Sequence, residues 1–131
     1  MVRAKAEGSM IISRKALGRL GEELAAQALA AQGYCIRERN WRCLDGELDI
    51  VAEDGDVLAF VEVKTRRGRE FGTPEEAVTP AKQAKLVELA ATYVQESDWP
   101  GDWRIDVAAV ELTPNGKLIR LEIIKNAVGE W

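Results

Sequence analysis

The sequence predicts a single α/β domain with a central β-sheet that is covered by helices on both faces. Three observations support this: two long segments carry apolar residues at helical spacing, several shorter segments alternate as β-strands do, and one strand is apolar on both of its sides. A strand of that last kind is typical of the interior of a sheet packed between two layers. The predicted order of elements is α-β-β-β-α-β-β.

The first helix is predicted to run from Ser13 to Gly33. Ser13 suits the N-cap, and Gly33 suits the left-handed position that follows a last helical turn. The apolar face between them consists of Leu17, Leu20, Leu24, Ala28 and Ala31. The segment Tyr34–Asn40 then alternates with period two, which predicts the first strand.

A β-hairpin comes next, with strands Leu48–Glu53 and Val57–Thr65. The connection contains Asp54-Gly55, and Asp-Gly between two apolar runs is a strong hairpin signal. The segment Arg66–Thr73 is polar, basic and contains two glycines, which predicts a mobile loop.

The second helix is predicted to begin after Thr79, with Pro80 in the first helical position, where a missing N–H is harmless. It ends before Trp99-Pro100-Gly101. A Pro-Asn-Gly turn separates the last two predicted strands, which span Arg104–Leu112 and Lys117–Lys125.

The chain has 131 residues and is 47% hydrophobic, which is enough for one core, so a single domain over 1–131 is expected. Residues 1–12 are taken as an N-terminal arm that precedes the first helix, and Gly8-Ser9-Met10 within it resembles a cloning remnant. No segment reaches the roughly 20 apolar residues of a membrane span, and Met1–Met10 lacks the apolar part of a secretory signal. We therefore expect a cytoplasmic protein without membrane contact.

The composition excludes several kinds of chemistry. The chain contains no histidine, which rules out His-based triads, His general bases and the common zinc sites. Cys35 and Cys43 lie eight positions apart, which matches no zinc-ligand spacing and allows at most one disulfide. Catalysis would therefore depend on carboxylates, lysine and a hard metal ion.

The charge is distributed unevenly along the chain. The net charge is −4 and the pI is near 5.0, which is unlike a general nucleic-acid coat. Residues 46–59, however, hold five acids and no base, and the segments on both sides of them are net basic. This pattern allows a local phosphate-binding face on an acidic protein.

Three charged residues stand on the otherwise apolar hairpin. Glu62 and Lys64 share one side of the second strand, and the hairpin can bring Asp49 beside Glu62. Two adjacent carboxylates are stable near pH 7 if they share a proton or a divalent cation, for which Mg²⁺ is the natural candidate. Lys64 could then orient water or neutralise charge on a phosphate. The alternative is an ordinary strand ion pair between Glu62 and Lys64.

These residues resemble the YraN-like family, a largely uncharacterised bacterial group. That family is placed in the restriction-endonuclease-like PD-(D/E)XK superfamily, near the archaeal Holliday-junction resolvases. The resemblance spans about Leu17 to Val110. The motifs that carry it are Gly21-Glu22, Gly46-Glu47-Leu48-Asp49-Ile50-Val51-Ala52, Phe60-Val61-Glu62-Val63-Lys64-Thr65-Arg66, Phe71-Gly72 and Arg104-Ile105-Asp106-Val107.

The resemblance implies a restriction-endonuclease-like αβββαβ core, with a mixed central sheet flanked by helices and an extra C-terminal strand. It also implies Asp49 and Glu62 as metal ligands, Lys64 as the catalytic lysine and an acid of the first helix as a further ligand. Glu22 and Glu23 compete for that last role; Glu22 matches the family's Gly-Glu and is preferred. Leu48 departs from the superfamily pattern, because it stands where the motif's name has proline.

Residues around this constellation have two interpretations each. Glu47 could assist the metal or be a solvated strand-end acid. Five cations could contact phosphates or simply be solvated: Arg66, Arg67, Arg69, Lys82 and Lys85. Asp106, between apolar neighbours, is expected to be structural. The four tryptophans are expected to pack in the core or an interface before they stack on bases; they are Trp41, Trp99, Trp103 and Trp131.

The leading hypothesis is an endonuclease dependent on Mg²⁺ or Mn²⁺ that acts on DNA, including branched or otherwise non-standard DNA. The resemblance to resolvases implies a homodimer. A second hypothesis is a nucleic-acid-binding module that keeps the fold without cleaving. A third is an interaction domain in which Glu62 and Lys64 form only an ion pair.

Overall fold

The computed structural model describes residues 11–128, and it has the α/β architecture that the sequence predicts. Within residues 11–128, two helices and five strands follow the predicted order, with one 3₁₀ turn before the second helix. They are α1 (Arg14–Ala31), β1 (Cys35–Cys43), β2 (Gly46–Asp54), β3 (Val57–Arg67), the 3₁₀ turn (Glu75–Ala77), α2 (Pro80–Ser97), β4 (Trp103–Leu112) and β5 (Leu118–Val128). The αβββαβ order with an additional C-terminal strand is thus confirmed.

All five strands form one sheet in the order β1-β2-β3-β4-β5. Neighbours pair antiparallel except for β3 and β4, which run parallel. A parallel pair needs a long crossover, and α2 supplies it. The sheet is therefore mixed, with β3 in its centre.

The helices begin and end where the sequence indicates. The Ser13 hydroxyl accepts a hydrogen bond from the Ala16 N–H at 3.1 Å, and the Thr79 hydroxyl accepts one from the Lys82 N–H at 3.2 Å. Gly33 follows α1 with a φ of 96°, a conformation that costs glycine little. Local capping therefore determines both helix starts.

Two apolar layers cover the two faces of the sheet. Leu29 and Val61 belong to the layer under α1, and Phe60 and Leu86 to the layer under α2. Because neighbours on β3 alternate between the layers, this strand is buried on both sides through Val63. Trp41, Trp99 and Trp103 pack against the α2 layer, as expected of core tryptophans.

All five strands are longer than predicted, including β1 and β3 beside the site described next. Strand β1 spans Cys35–Cys43, although the alternation predicted a strand only from Tyr34 to Asn40. Strand β3 continues through Arg67, because its parallel pairing with β4 persists to the pair Arg67 and Leu112. The prediction of a mobile loop from Arg66 was therefore wrong for Arg66 and Arg67, which are strand residues.

Residues 1–10 of the proposed N-terminal arm, and Trp131, lie outside the described residues. Ile12, which the sequence assigns to the arm, packs against the α1 layer, and its carbonyl accepts a hydrogen bond of 2.7 Å from Arg67. Within residues 11–128, neither helix is long and apolar enough to cross a membrane.

Candidate functional site

The candidate site lies where the sheet forks. The register between β2 and β3 ends at the pair Ile50 and Val61. Before that point β2 stays paired with β1 back to Gly46, and beyond it β3 stays paired with β4 out to Arg67. The two halves of the sheet therefore separate, and the opening between them, called the fork below, receives the side chains of both strands.

Asp49 and Glu62 occupy the fork, as the hairpin pattern predicts. The Val63 N–H donates a hydrogen bond of 2.9 Å to Asp49 Oδ2. This bond lies beyond the last backbone pair of the two strands, which is Ile50 with Val61. Glu62 is only 5% exposed. Burial, and then the charge of Glu62, raise the pKa of Asp49 to about 7. The carboxyl group of Asp49 is therefore partly protonated at neutral pH.

A cation from the second helix faces this pair. Lys82 Nζ lies 3.3 Å from Glu62 Oε2, and its charge opposes the rise in the pKa of Asp49. Within residues 11–128 the partner of Glu62 is thus Lys82 and not Lys64, so the Glu62–Lys64 ion pair considered from the sequence is not formed. Lys85 was considered together with Lys82 as a possible phosphate contact, but its Nζ lies 3.9 Å from Oε1 of the exposed Glu88.

Helix α1 brings a third carboxylate, Glu22, to the fork. Gly21 packs so closely on β3 that a Cβ there would overlap the Thr65 hydroxyl, so the absence of a side chain allows the helix to approach. Burial, and then the charges of Asp49 and Glu47, raise the pKa of Glu22.

Glu23, the alternative to Glu22, lies away from the fork. Its Oε1 is 3.0 Å from Arg39 Nη1, and its side chain is 53% exposed. The geometry therefore brings Glu22, and not Glu23, towards Asp49.

Asn40 connects two of the acids, a role the sequence did not suggest. With its amide nitrogen turned towards them, Asn40 lies 3.0 Å from Glu47 Oε2 and 3.2 Å from Glu22 Oε1. Asn40 has a φ of 55°, in the left-handed region that asparagine tolerates better than most residues. The only sign of this role in the sequence was an asparagine, Asn40, within a segment that has the alternation of a strand. Glu47 also lies 3.6 Å from Arg42.

A cleft of ≈ 460 Å³ opens beside the fork, between α1 and the end of β3. Its lining combines four cations with acids and one aromatic ring. The charged and aromatic residues of the lining include Arg14, Glu22, Lys64, Arg66, Arg67 and Phe71. Arg66 Nε is buried and has no hydrogen-bond partner among residues 11–128. A buried donor without a partner is costly and therefore unusual in a folded protein.

Not every predicted cation lies in the cleft. Arg69 donates hydrogen bonds of 2.9 Å and 3.0 Å to the two carboxylate oxygens of Glu111, which is itself 3% exposed. Arg120 binds the same carboxylate and also lies 2.7 Å from Glu75. Arg69 is therefore held in a structural ion-pair cluster. Arg67 lines the cleft and also donates to a backbone carbonyl, so it has a structural role as well.

Asp106 is structural, as expected. It is fully buried and accepts hydrogen bonds from the Tyr34 hydroxyl at 2.9 Å, from Arg104 Nε at 2.9 Å and from the Asn126 N–H at 2.9 Å. These bonds satisfy the carboxylate within the α1 side of the sheet.

The donor set at the fork suits a divalent cation that prefers oxygen. In the described part of the chain, no three acidic or cysteine side chains are grouped closely enough to enclose a metal ion. Asp49 and Glu62 nevertheless offer two adjacent carboxylates, and burial, followed by the charge of Glu62, raises the pKa of Asp49 to about 7. Mg²⁺ is commonly held by one or two carboxylates together with water and substrate phosphate. The residues therefore fit Mg²⁺ or Mn²⁺, with Glu22 within electrostatic reach.

Comparison with known proteins gives a family match over most of this site. The model of the Uncharacterised protein family UPF0102 matches residues 21–110, a range that begins at Gly21 and includes Asp49, Glu62 and Lys64. The UPF0102 protein STH1475 of Symbiobacterium thermophilum is 52% identical over 112 residues, covering 85% of this chain and 94% of the relative.

Two further relatives match over nearly their whole length. The UPF0102 protein DehaBAV1_0707 of Dehalococcoides mccartyi is 44% identical over 124 residues, covering 92% of this chain and 99% of the relative. A UPF0102 protein of Roseiflexus castenholzii is 47% identical over 119 residues, covering 89% and 96%. The names of these relatives state no activity.

Proposed function

This chain belongs to the uncharacterised protein family UPF0102, and we propose that it is a metal-dependent endonuclease that hydrolyses DNA phosphodiester bonds. The observation that carries the proposal is the pairing of Asp49 with Glu62 at the fork, beside a cleft that also contains Lys64. Buried carboxylates without enough positive charge destabilise a fold, so their presence beside a cleft favours a functional role.

Mg²⁺ or Mn²⁺ would be held by Asp49 and Glu62. When bound, such an ion polarises a phosphate oxygen and makes a coordinated water more acidic. This suits a chain without histidine. Its own side chains then need not supply a general base with a pKa near 7.

The protein's own residues would orient the substrate and balance its charge. Lys64, in the cleft, would donate a hydrogen bond to the scissile phosphate and offset the negative charge that develops on it. Arg66, which lines the same cleft, would bind a neighbouring phosphate through its guanidinium group. Glu22, with its raised pKa, would hold water near Asp49, and Glu47 would orient Glu22 through Asn40.

The motif pattern supports the same class of reaction. An acid on one strand, followed by Glu-x-Lys on the next, is the pattern of the PD-(D/E)XK nucleases, which this chain resembles from Asp49 to Lys64. The further resemblance to Holliday-junction resolvases favours branched DNA as the substrate. It also favours a homodimer, since two strands of a junction are cut symmetrically. Native mass spectrometry with and without junction DNA tests the dimer.

The cleavage test uses linear, flapped and four-way-junction DNA with Mg²⁺ or Mn²⁺. Wild type should cleave at least one substrate, whereas Asp49→Asn and Lys64→Ala should not. Glu53→Gln is the matched control, because Glu53 lies on the same strand as Asp49 but binds Arg37 at 2.9 Å, away from the fork. Equal cleavage by wild type and Asp49→Asn would exclude the proposed site.

A second candidate is a DNA-binding module that does not cleave. The observation that favours it is the ion pair of Lys82 with Glu62, which already provides Glu62 with a cation. Under this alternative, wild type and Asp49→Asn bind the same substrates and neither cuts any of them in Mg²⁺ or Mn²⁺.

A further inference from the structure

An exposed aromatic ring stands in the same cleft as the cations. Phe71 is 85% exposed, and it lines the cleft together with Lys64 and Arg66. It lies in the turn between β3 and the 3₁₀ turn, next to Gly72, which has a φ of 94°. A phenylalanine in water presents a large apolar face, and its position in a charged cleft makes that face available to a ligand that carries both an anion and an apolar ring.

Cations and an aromatic ring in one cleft match the two parts of a nucleotide. Basic side chains bind the phosphates, and an aromatic face accepts a base of any sequence by stacking. The acids of the cleft, Glu22 and Glu70, lie among these cations. They disfavour a polyanion that would fill the whole cleft, and they are compatible with one phosphate held by Lys64 and Arg66.

The size of the cleft limits the ligand further. A volume of ≈ 460 Å³ is in the range of pockets that enclose one small organic molecule. It is far too small for a duplex, so a nucleotide can enter only if it is unstacked from its neighbours. The cost of unstacking is lowest where the nucleotide is already unpaired.

We propose that the cleft receives an unpaired nucleotide, with its phosphate on Lys64 and Arg66 and its base on Phe71. The preferred substrate is then DNA in which an unpaired segment adjoins the bond to be cut. This inference rests on the proposed nuclease function for its biological meaning, but it concerns binding and is testable without cleavage.

The experiment measures binding of fluorescent DNA by the full chain in EDTA, using fluorescence anisotropy. Three DNAs of matched sequence are compared: a blunt duplex, the same duplex with a three-nucleotide unpaired segment, and the single strand. The variants are Phe71→Ala, which removes the ring, and Phe71→Tyr, which keeps a stacking face. Leu44→Ala is the matched control, because Leu44 is also a highly exposed apolar residue but does not line the cleft.

Wild type should bind the two DNAs with unpaired nucleotides more tightly than the blunt duplex. Phe71→Ala should weaken those two by roughly 10-fold, the scale of one lost base stack, and leave duplex binding unchanged. Phe71→Tyr and Leu44→Ala should bind like wild type. Because Phe71 is exposed, the substitutions should leave the melting temperature unchanged.

Equal binding of all three DNAs, or an unchanged affinity of Phe71→Ala for unpaired DNA, would overturn the inference. So would binding of none of them. An RNA strand of the same sequence is measured in the same assay, and tighter binding of this RNA than of the DNA strand would overturn the assignment to DNA. If the expected binding pattern is found and wild type nevertheless cuts nothing in Mg²⁺ or Mn²⁺, the nuclease proposal fails while the binding inference stands.

Discussion

Without metal, the Asp49→Asn variant should be more stable than wild type, and this difference in stability should grow as the pH rises. Asparagine removes the charge that Glu62 repels, and its side-chain oxygen can still accept the hydrogen bond from the Val63 N–H. An acid pair kept for function, and not for stability, should behave in this way.

The magnitude follows from the raised pKa of Asp49. Between its ordinary value of 3.8 and about 7, the unfolded chain has lost this proton and the folded protein has kept it, so wild-type stability falls as the pH rises through this window. From pH 5 to about 7 the loss is about 3 kcal/mol at most, at about 1.4 kcal/mol per unit. The advantage of Asp49→Asn should therefore grow by about 1–3 kcal/mol between pH 5 and pH 8.

The assay is urea denaturation in EDTA at pH 5 and pH 8, for wild type, Asp49→Asn and the control Glu53→Gln. Glu53 lies on the same strand and is paired with Arg37, so its substitution should give no gain that grows with pH. Millimolar Mg²⁺ at pH 8 should then stabilise wild type more than Asp49→Asn, because only the intact pair binds the ion strongly. A difference between Asp49→Asn and wild type that is the same at both pH values would refute the reasoning.

Three further predictions concern residues around the fork. Lys82→Met should tighten Mg²⁺ binding several-fold in calorimetry, because the ammonium competes for Glu62 from 3.3 Å, whereas Lys85→Met should not. Gly21→Ala should destabilise the protein by about 1–3 kcal/mol in urea denaturation, because the new methyl group overlaps the side chain of Thr65 on β3. Gly18→Ala is the control, since a methyl group there has nothing within 4 Å, and it should stabilise the protein by about 0.5–1 kcal/mol. Burial and the neighbouring Asp106 raise the pKa of Tyr34 to about 12. Wild-type stability should therefore fall as the pH rises from about 10 to 12, because the unfolded chain loses this proton first. Tyr34→Phe should remove that part of the fall in melting curves recorded at alkaline pH.

The elements of the fold could be predicted because their signals are local. Ser13 and Thr79 cap the helices within one turn, and Asp54-Gly55 closes the hairpin between adjacent strands. The double-sided apolar pattern of β3 correctly placed this strand inside the sheet. In each case the residues that decide the structure are neighbours in the sequence.

The features that were missed depend on distant partners. Strand β3 extends through Arg66 and Arg67 because β4, about 45 residues later in the chain, continues to pair with it. Glu62 finds its cation on α2, and Arg69 finds Glu111 on β4. Side-chain alternation gives the side of a strand on which a residue lies, but not which charge from another element meets it there.

The fork itself shows why Asp49 is both a structural and a functional residue. Once β2 and β3 separate after Ile50 and Val61, the Val63 N–H has no pairing residue on β2, and an unpaired buried N–H would cost about 1–3 kcal/mol. The carboxylate of Asp49 accepts this N–H with one oxygen at 2.9 Å, which fixes its orientation while Glu62 destabilises its charge. The separation that creates room for a ligand thus also creates the donor that holds the first carboxylate in place. Asparagine can replace the acceptor but not the charge, and alanine can replace neither, so a comparison of the two separates the structural contribution of Asp49 from its chemical one.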